Sequence, residues 1–169
     1  TIGDIIKLPQ ILFGKSDVLC VAKQYPSYDD IYKYGFLHTR LKAYKQHNMS
    51  IDMFRVNANT SSPFAEFEDI DYTTGNLEML DRILASQRYK HILIHLIDHH
   101  IWSVLEKYID KIKVTIWVHG AEAQAWQRRA YEFDSLTDEE IARKKKLSDH
   151  RMKFWRRLLE KKHENLNLV

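Results

Sequence analysis

Apolar positions along the chain fall into two patterns. Four short runs, Asp17–Ala22, Ile51–Val56, His91–Leu96 and Lys113–Val118, are nearly continuous and read as strands covered on both faces. A fifth segment, Phe64–Ile70, alternates imperfectly between apolar and acidic residues and predicts a more exposed strand. Between the runs, apolar residues recur every three or four positions, the spacing of an amphipathic helix. Helix Asp30–His47 carries Tyr34, Leu37, Leu41 and Tyr44 on one face and Lys33, Arg40, Lys42 and Lys45 on the other. A second helix, capped by Thr73 or Thr74, buries Leu77, Leu80 and Leu84. A third, capped by Asp98, buries Ile101, Trp102, Leu105 and Ile109. A fourth follows His119-Gly120, with Ala123, Trp126, Ala130 and Phe133 in step. A capping box at Thr137–Glu140 opens a long fifth helix to about His163, with Ile141, Met152, Trp155 and Leu159 on one stripe.

The order β-α-β-β-α-β-α-β-α-α predicts a Rossmann-like α/β domain over residues 17–169, a mostly parallel sheet with helices on both faces. Residues 1–16, with Gly3, Pro9 and Gly14 around short apolar pieces, read as an arm or linker. The first residue is Thr, and Asn165–Val169 opens a strand-like pattern before stopping, so a piece of a longer protein is expected. A length of 169 residues suits one domain with a real core. No apolar run approaches the roughly 18 residues of a membrane span. The single cysteine, Cys20, excludes an internal disulfide and a cysteine zinc cluster and points to a reducing compartment. The net charge of +3 is uneven: residues 123–163 hold twelve Lys/Arg against seven Asp/Glu, leaving fourteen against sixteen elsewhere.

Five glycines provide neither phosphate-binding loop signature of nucleotide-binding folds. The chemistry-bearing residues cluster instead after two strands. His119-Gly120 follows the run Val114–Val118. In a parallel sheet that is the edge where ligands bind, although a turn histidine that only caps a helix also fits. His95, Asp98, His99 and His100 follow the preceding strand and fall on the same edge. They admit three uses: a metal site, the Asp-His-His signature of manganese phosphoesterases, or capping and lining of a substrate cleft. His95 and His99 straddle a strand end, which works against shared metal ligation. The phosphoesterases also need an Asp-x-Asp after the first strand, where this chain has Tyr25–Asp30. Glu132 and Glu140, eight apart, have the spacing of a donor-site glutamate pair but lie across a helix boundary and are discounted. The basic helix, with Arg143–Lys146, Arg156-Arg157 and Lys161-Lys162 around Phe154 and Trp155, is either a solvated face or a surface for an anionic membrane. No nucleic-acid module accompanies it, and no nucleic-acid partner is expected.

The strand and glycine-bearing helix start (Tyr34-Gly35), the polar helix start His95–His100 and the strand ending in His119-Gly120-Ala121-Glu122 together resemble the N-terminal, acceptor-side domain of family 4 glycosyltransferases with the GT-B fold. Many relatives have two adjacent glycines where this chain has Tyr34-Gly35. The resemblance implies transfer of a sugar, with retention, from a nucleotide-sugar donor to a glycan or lipid-linked acceptor. The cleft would lie against a second, donor-binding domain not contained in this chain. It implies neither a metal nor another cofactor; the alternatives are a metal-dependent phosphoesterase of the Asp-His-His type and a non-catalytic interaction domain. In the transferase His119 would be catalytic, with Tyr34, Gly35, Asp98, His99, Gly120 and Glu122 binding substrate and Glu122 also orienting the loop. The enzyme would be cytoplasmic, peripheral at the inner membrane face through its basic helix.

Overall fold

The computed structural model of the protein describes residues 16–57 and 64–169. The expected N-terminal arm, but for its last residue, and most of the polar loop 57–63 lie outside them. Seven strands form one sheet: β1 (Val18–Ala22), β2 (Asp52–Val56), β3 (Phe64–Phe67), β4 (Ile70–Gly75), β5 (His91–His95), β6 (Lys113–Trp117) and β7 (Leu166–Leu168). Their order is β3-β4-β2-β1-β5-β6-β7. Every pairing is parallel except β3 with β4.

Among the described residues four α-helices accompany the strands: α1 (Gly35–Gln46), α2 (Leu77–Ala85), α3 (His99–Leu105) and α4 (Asp138–Glu160). Alternate residues of β1 sort the core into two. Leu19 and Val21 join Phe54, Leu80, Ile83, Ile101, Trp102 and Trp155 under α2, α3 and α4. Cys20 and Ala22 join Tyr25, Leu37, Leu41, Met53 and Tyr72 under α1. Two-sided burial explains why β1, β5 and β6 read as continuous apolar runs, and the three-layer α/β expectation is met. Cys20 is buried, and burial pushes its thiol up to about 12, as befits a small core residue.

The local departures have physical causes. Phe64–Ile70 is not one strand. Glu68 and Asp69 take positive φ, 44° and 66°, and make a two-residue turn between β3 and β4. Thr73 and Thr74 therefore lie inside β4, where β-branched residues pack well, and the cap of α2 is Asn76, whose Oδ1 accepts from Met79 N at 2.9 Å. Helix α1 starts at Gly35, not Asp30, because Tyr34 adopts the left-handed conformation (φ 56°) immediately before it. Trp126–Phe133 is a pair of 3₁₀ turns broken at Arg129, not a regular helix. The capping box of α4 forms as expected, but the helix buries Phe154, Trp155 and Leu158 while Leu159 stays 64% exposed. The C-terminal pattern completes a strand, β7 on β6. Among the described residues no helix is long and apolar enough to cross a membrane.

From β1 the chain steps through β2 and β4 to one side of the sheet and through β5, β6 and β7 to the other. The gap between the carboxyl ends of β1 and β5 is thus the switch point, the place where open parallel sheets hold ligands.

Candidate functional site

Two groups of side chains meet at the carboxyl edge. The first is built on the loop after β6. Gly120 takes φ 85°, a conformation that L side chains rarely adopt, and so turns the chain back on itself. The turn lets the His119 N–H donate to Glu122 Oε1 at 2.7 Å. Glu122 is buried, and its carbonyl accepts from Trp155 Nε1 of α4 at 2.8 Å. Its second carboxylate oxygen, Oε2, is buried with no hydrogen-bond partner among the described residues. The His119 ring is exposed, with Nε2 hydrogen-bonded to His95 Nδ1 at 2.8 Å and the Phe36 ring 4.6 Å from its centre.

His95 anchors this arrangement. It is 1% exposed and stacks on Trp117, centroids 4.9 Å apart with the planes at 4°. Arg40 covers the same indole at 5.3 Å. Burial first, then the neighbouring His119 and Arg40, lower the His95 pKa to about 4. His95 is therefore neutral at pH 7, and its Nδ1 fixes which nitrogen of His119 is engaged. The Nδ1 of His119 has no partner among the described residues, which leaves it for a ligand.

This linkage predicts a pH response. Because the folded-state pKa of His95 lies below the ordinary value near 6.5, the unfolded chain takes up the proton first as pH falls. The contribution of His95 is full above about pH 6.5 and is lost as pH drops towards 4. His91, held low by burial and by Lys113, acts in the same sense. The denaturation midpoint of the wild type should fall over that window, and His95→Gln should show a visibly smaller fall. Parallel falls in the two proteins would contradict the assignment.

The second group lies at the switch point. Asp98 caps α3 by accepting from Ile101 N at 2.9 Å, and it pairs with Lys23 from the end of β1. Burial opposes ionisation of Asp98, but the Ile101 N–H and Lys23 outweigh it and hold the carboxyl low. Beside this pair opens a cavity of about 720 Å³ whose polar lining includes Lys23, Lys33, Arg55, Asn57 and His100. That is the size of a small-ligand site. Tyr34 links the two groups. Burial, then the negative charges of Glu122 and Asp98, raise its hydroxyl pKa.

His119, Gly120, Glu122, Tyr34 and Asp98 thus gather on one edge. Gly35 lies there too, but a Cβ added to it meets nothing within 4 Å, so close packing against a strand is not what Gly35 serves. The positive φ falls on Tyr34, the position at which a glycine would relieve strain. His99 is exposed, with its ring 3.8 Å from that of His100, and it is His100 that lines the cavity. Sequence reasoning left Phe36, Lys23, Lys33 and Arg55 out of the site. Arg55 did carry a signal: a cation near the end of a buried strand. Among the described residues no three His, Cys, Asp or Glu side chains converge as metal ligands. Comparisons with family models, curated proteins and solved structures found no match.

Proposed function

We propose that this chain is the acceptor-side half of a retaining glycosyltransferase with two Rossmann-like domains, moving a sugar from a nucleotide-sugar donor to a glycan or lipid-linked acceptor. The observation that carries the reading is the mounting of His119. Its ring is exposed at the carboxyl end of β6, one nitrogen held by neutral His95, its backbone fixed by Glu122. A pre-set hydrogen-bonding group on the sheet edge that also carries a ligand-sized cavity, lined by Asp98 and not by His119 itself, suits stabilisation of charge developing at a sugar centre. His119 faces the reacting sugar, Glu122 and Gly120 hold the loop, and Tyr34 and Asp98 border the acceptor. The donor-binding half is a separate domain, so transfer requires both.

The competing reading is a manganese phosphoesterase of the Asp-His-His type. In this fold Asp98 is engaged with the α3 N-terminus and Lys23, and His95 with His119. Assay of the chain for manganese-dependent phosphodiester cleavage separates the two. The transferase reading expects none, and cleavage abolished by Asp98→Ala would replace it.

Membrane attachment rests on charge alone, since Phe154 and Trp155 are 7% and 6% exposed and belong to the core. Lys144, Arg156 and Arg157 remain exposed on α4, and each cation near an anionic surface contributes about 1 kcal/mol. The chain should co-sediment with anionic vesicles at low salt and not with neutral ones. Changing Lys144, Lys145, Arg156 and Arg157 together to Gln should release it. Binding unchanged by that substitution would remove α4 as the contact.

A further inference from the structure

We propose that the switch-point cavity binds the phosphoryl group of the acceptor, so that the acceptor is a phosphorylated amphiphile or sugar phosphate rather than a neutral glycan. Three cations reach the cavity from three elements: Lys23 after β1, Lys33 before α1 and Arg55 in β2. Arg55 is the best placed. Its Nε donates to Thr74 Oγ1 at 3.0 Å and its guanidinium lies over Tyr72 at 5.4 Å, which fixes its direction. It has no carboxylate partner among the described residues, so its terminal nitrogens can meet two oxygens of one anion. Lys23 and Lys33 are shared with Asp98 and Asp30, with lysine side chains 45% and 54% exposed. Ion pairs that open to water contribute little, so exchanging them for a dianion costs little. The other lining carboxylate, Glu78, is turned to Arg82 at 2.5 Å.

The shape of the site argues for more than inorganic phosphate. A volume of about 720 Å³ far exceeds one phosphate, and Val56, Leu77 and Ile101 contribute an apolar wall. Cations on one side and alkyl groups on the other suit a phosphate attached to a ring or a chain. Three donors arriving from different elements fit tetrahedral phosphoryl oxygens better than a planar carboxylate. This inference rests on the transferase reading only in naming the ligand the acceptor.

Titration of the 169-residue protein with octyl phosphate below its micelle concentration, with glucose 6-phosphate and with inorganic phosphate, followed by calorimetry, tests it. At least one of the two organic phosphates should bind tenfold or more tightly than inorganic phosphate. Arg55→Gln should weaken that binding tenfold or more, Lys33→Gln should weaken it less, and Lys90→Gln, exposed ahead of β5 at the opposite edge of the sheet, should leave it unchanged. Tighter octyl phosphate indicates a lipid-linked acceptor, and tighter glucose 6-phosphate a soluble one. Lys33 is exposed and its variant should fold, so an effect there stands even if Arg55→Gln is unstable. The proposal is overturned if neither organic phosphate outbinds inorganic phosphate, or if Lys90→Gln costs as much as Arg55→Gln and Lys33→Gln. That result together with retained sugar transfer by the full-length protein leaves the transferase reading intact, while phosphate binding without any transfer removes that reading and keeps this one.

Discussion

Substituting His119 by Ala in the full-length protein should lower the rate of sugar transfer by about 10²–10³-fold, the order of effect expected when one pre-set hydrogen-bonding group is removed from a developing charge. In the proposed transferase role the effect should fall mainly on kcat, because the ring would then meet the reacting centre and not the bulk of either substrate. The fold should survive. The His119 ring is exposed, and its loss uncovers only the Nδ1 of His95, a polar atom whose lost bond costs about 1–3 kcal/mol. Steady-state kinetics at a temperature where circular dichroism shows the variant folded separates the two consequences. A variant with unchanged kcat would show that His119 is a turn residue and nothing more.

The largest effect on stability is expected at Trp155. Its indole is 6% exposed in the core shared by α4 and the sheet, and Trp155→Ala should cost about 3–5 kcal/mol. The more informative change is Trp155→Phe. It keeps most of the packing but leaves the Glu122 carbonyl without the Nε1 donor that now lies 2.8 Å away. About 1–3 kcal/mol should be lost. Activity should fall further than stability predicts, since the same residue, Glu122, holds the His119 N–H. Denaturant unfolding alongside kinetics decides between these outcomes. If Trp155→Phe destabilises the protein without changing kcat in the folded fraction, α4 supports the sheet and not the loop.

The sheet was legible because burial on both faces writes itself as uninterrupted apolar runs; β1, β5 and β6 stand where Asp17–Ala22, His91–Leu96 and Lys113–Val118 predicted them. The β3–β4 hairpin was not, because its turn is Glu68-Asp69, two acidic residues in the left-handed region with no glycine to announce them. The start of α1 was missed for the same reason at Tyr34. Trp126–Phe133 kept a helical spacing of apolar residues but forms 3₁₀ turns, in which the same i, i+3 contacts arise with a different backbone. At the site, His119 was singled out from its place after a strand, and Glu122 only through the family resemblance. Their partners were not legible. Trp155 comes from 33 positions away and Phe36 from another helix, and no local pattern announces such contacts. Arg55 and Lys33 reach the cavity only because β2 and the α1 loop converge on the switch point, a fact of topology and not of spacing.

The central claim is that the His119 edge forms one wall of a retaining sugar-transfer site. The most direct test is to incubate the full-length protein with a panel of α-linked nucleotide sugars and the phosphorylated acceptor, and to read the anomeric configuration of the product by proton NMR coupling. The account predicts nucleotide release with an α-linked product, both lost in His119→Ala. A β-linked product, or turnover of the same rate without His119, would contradict it.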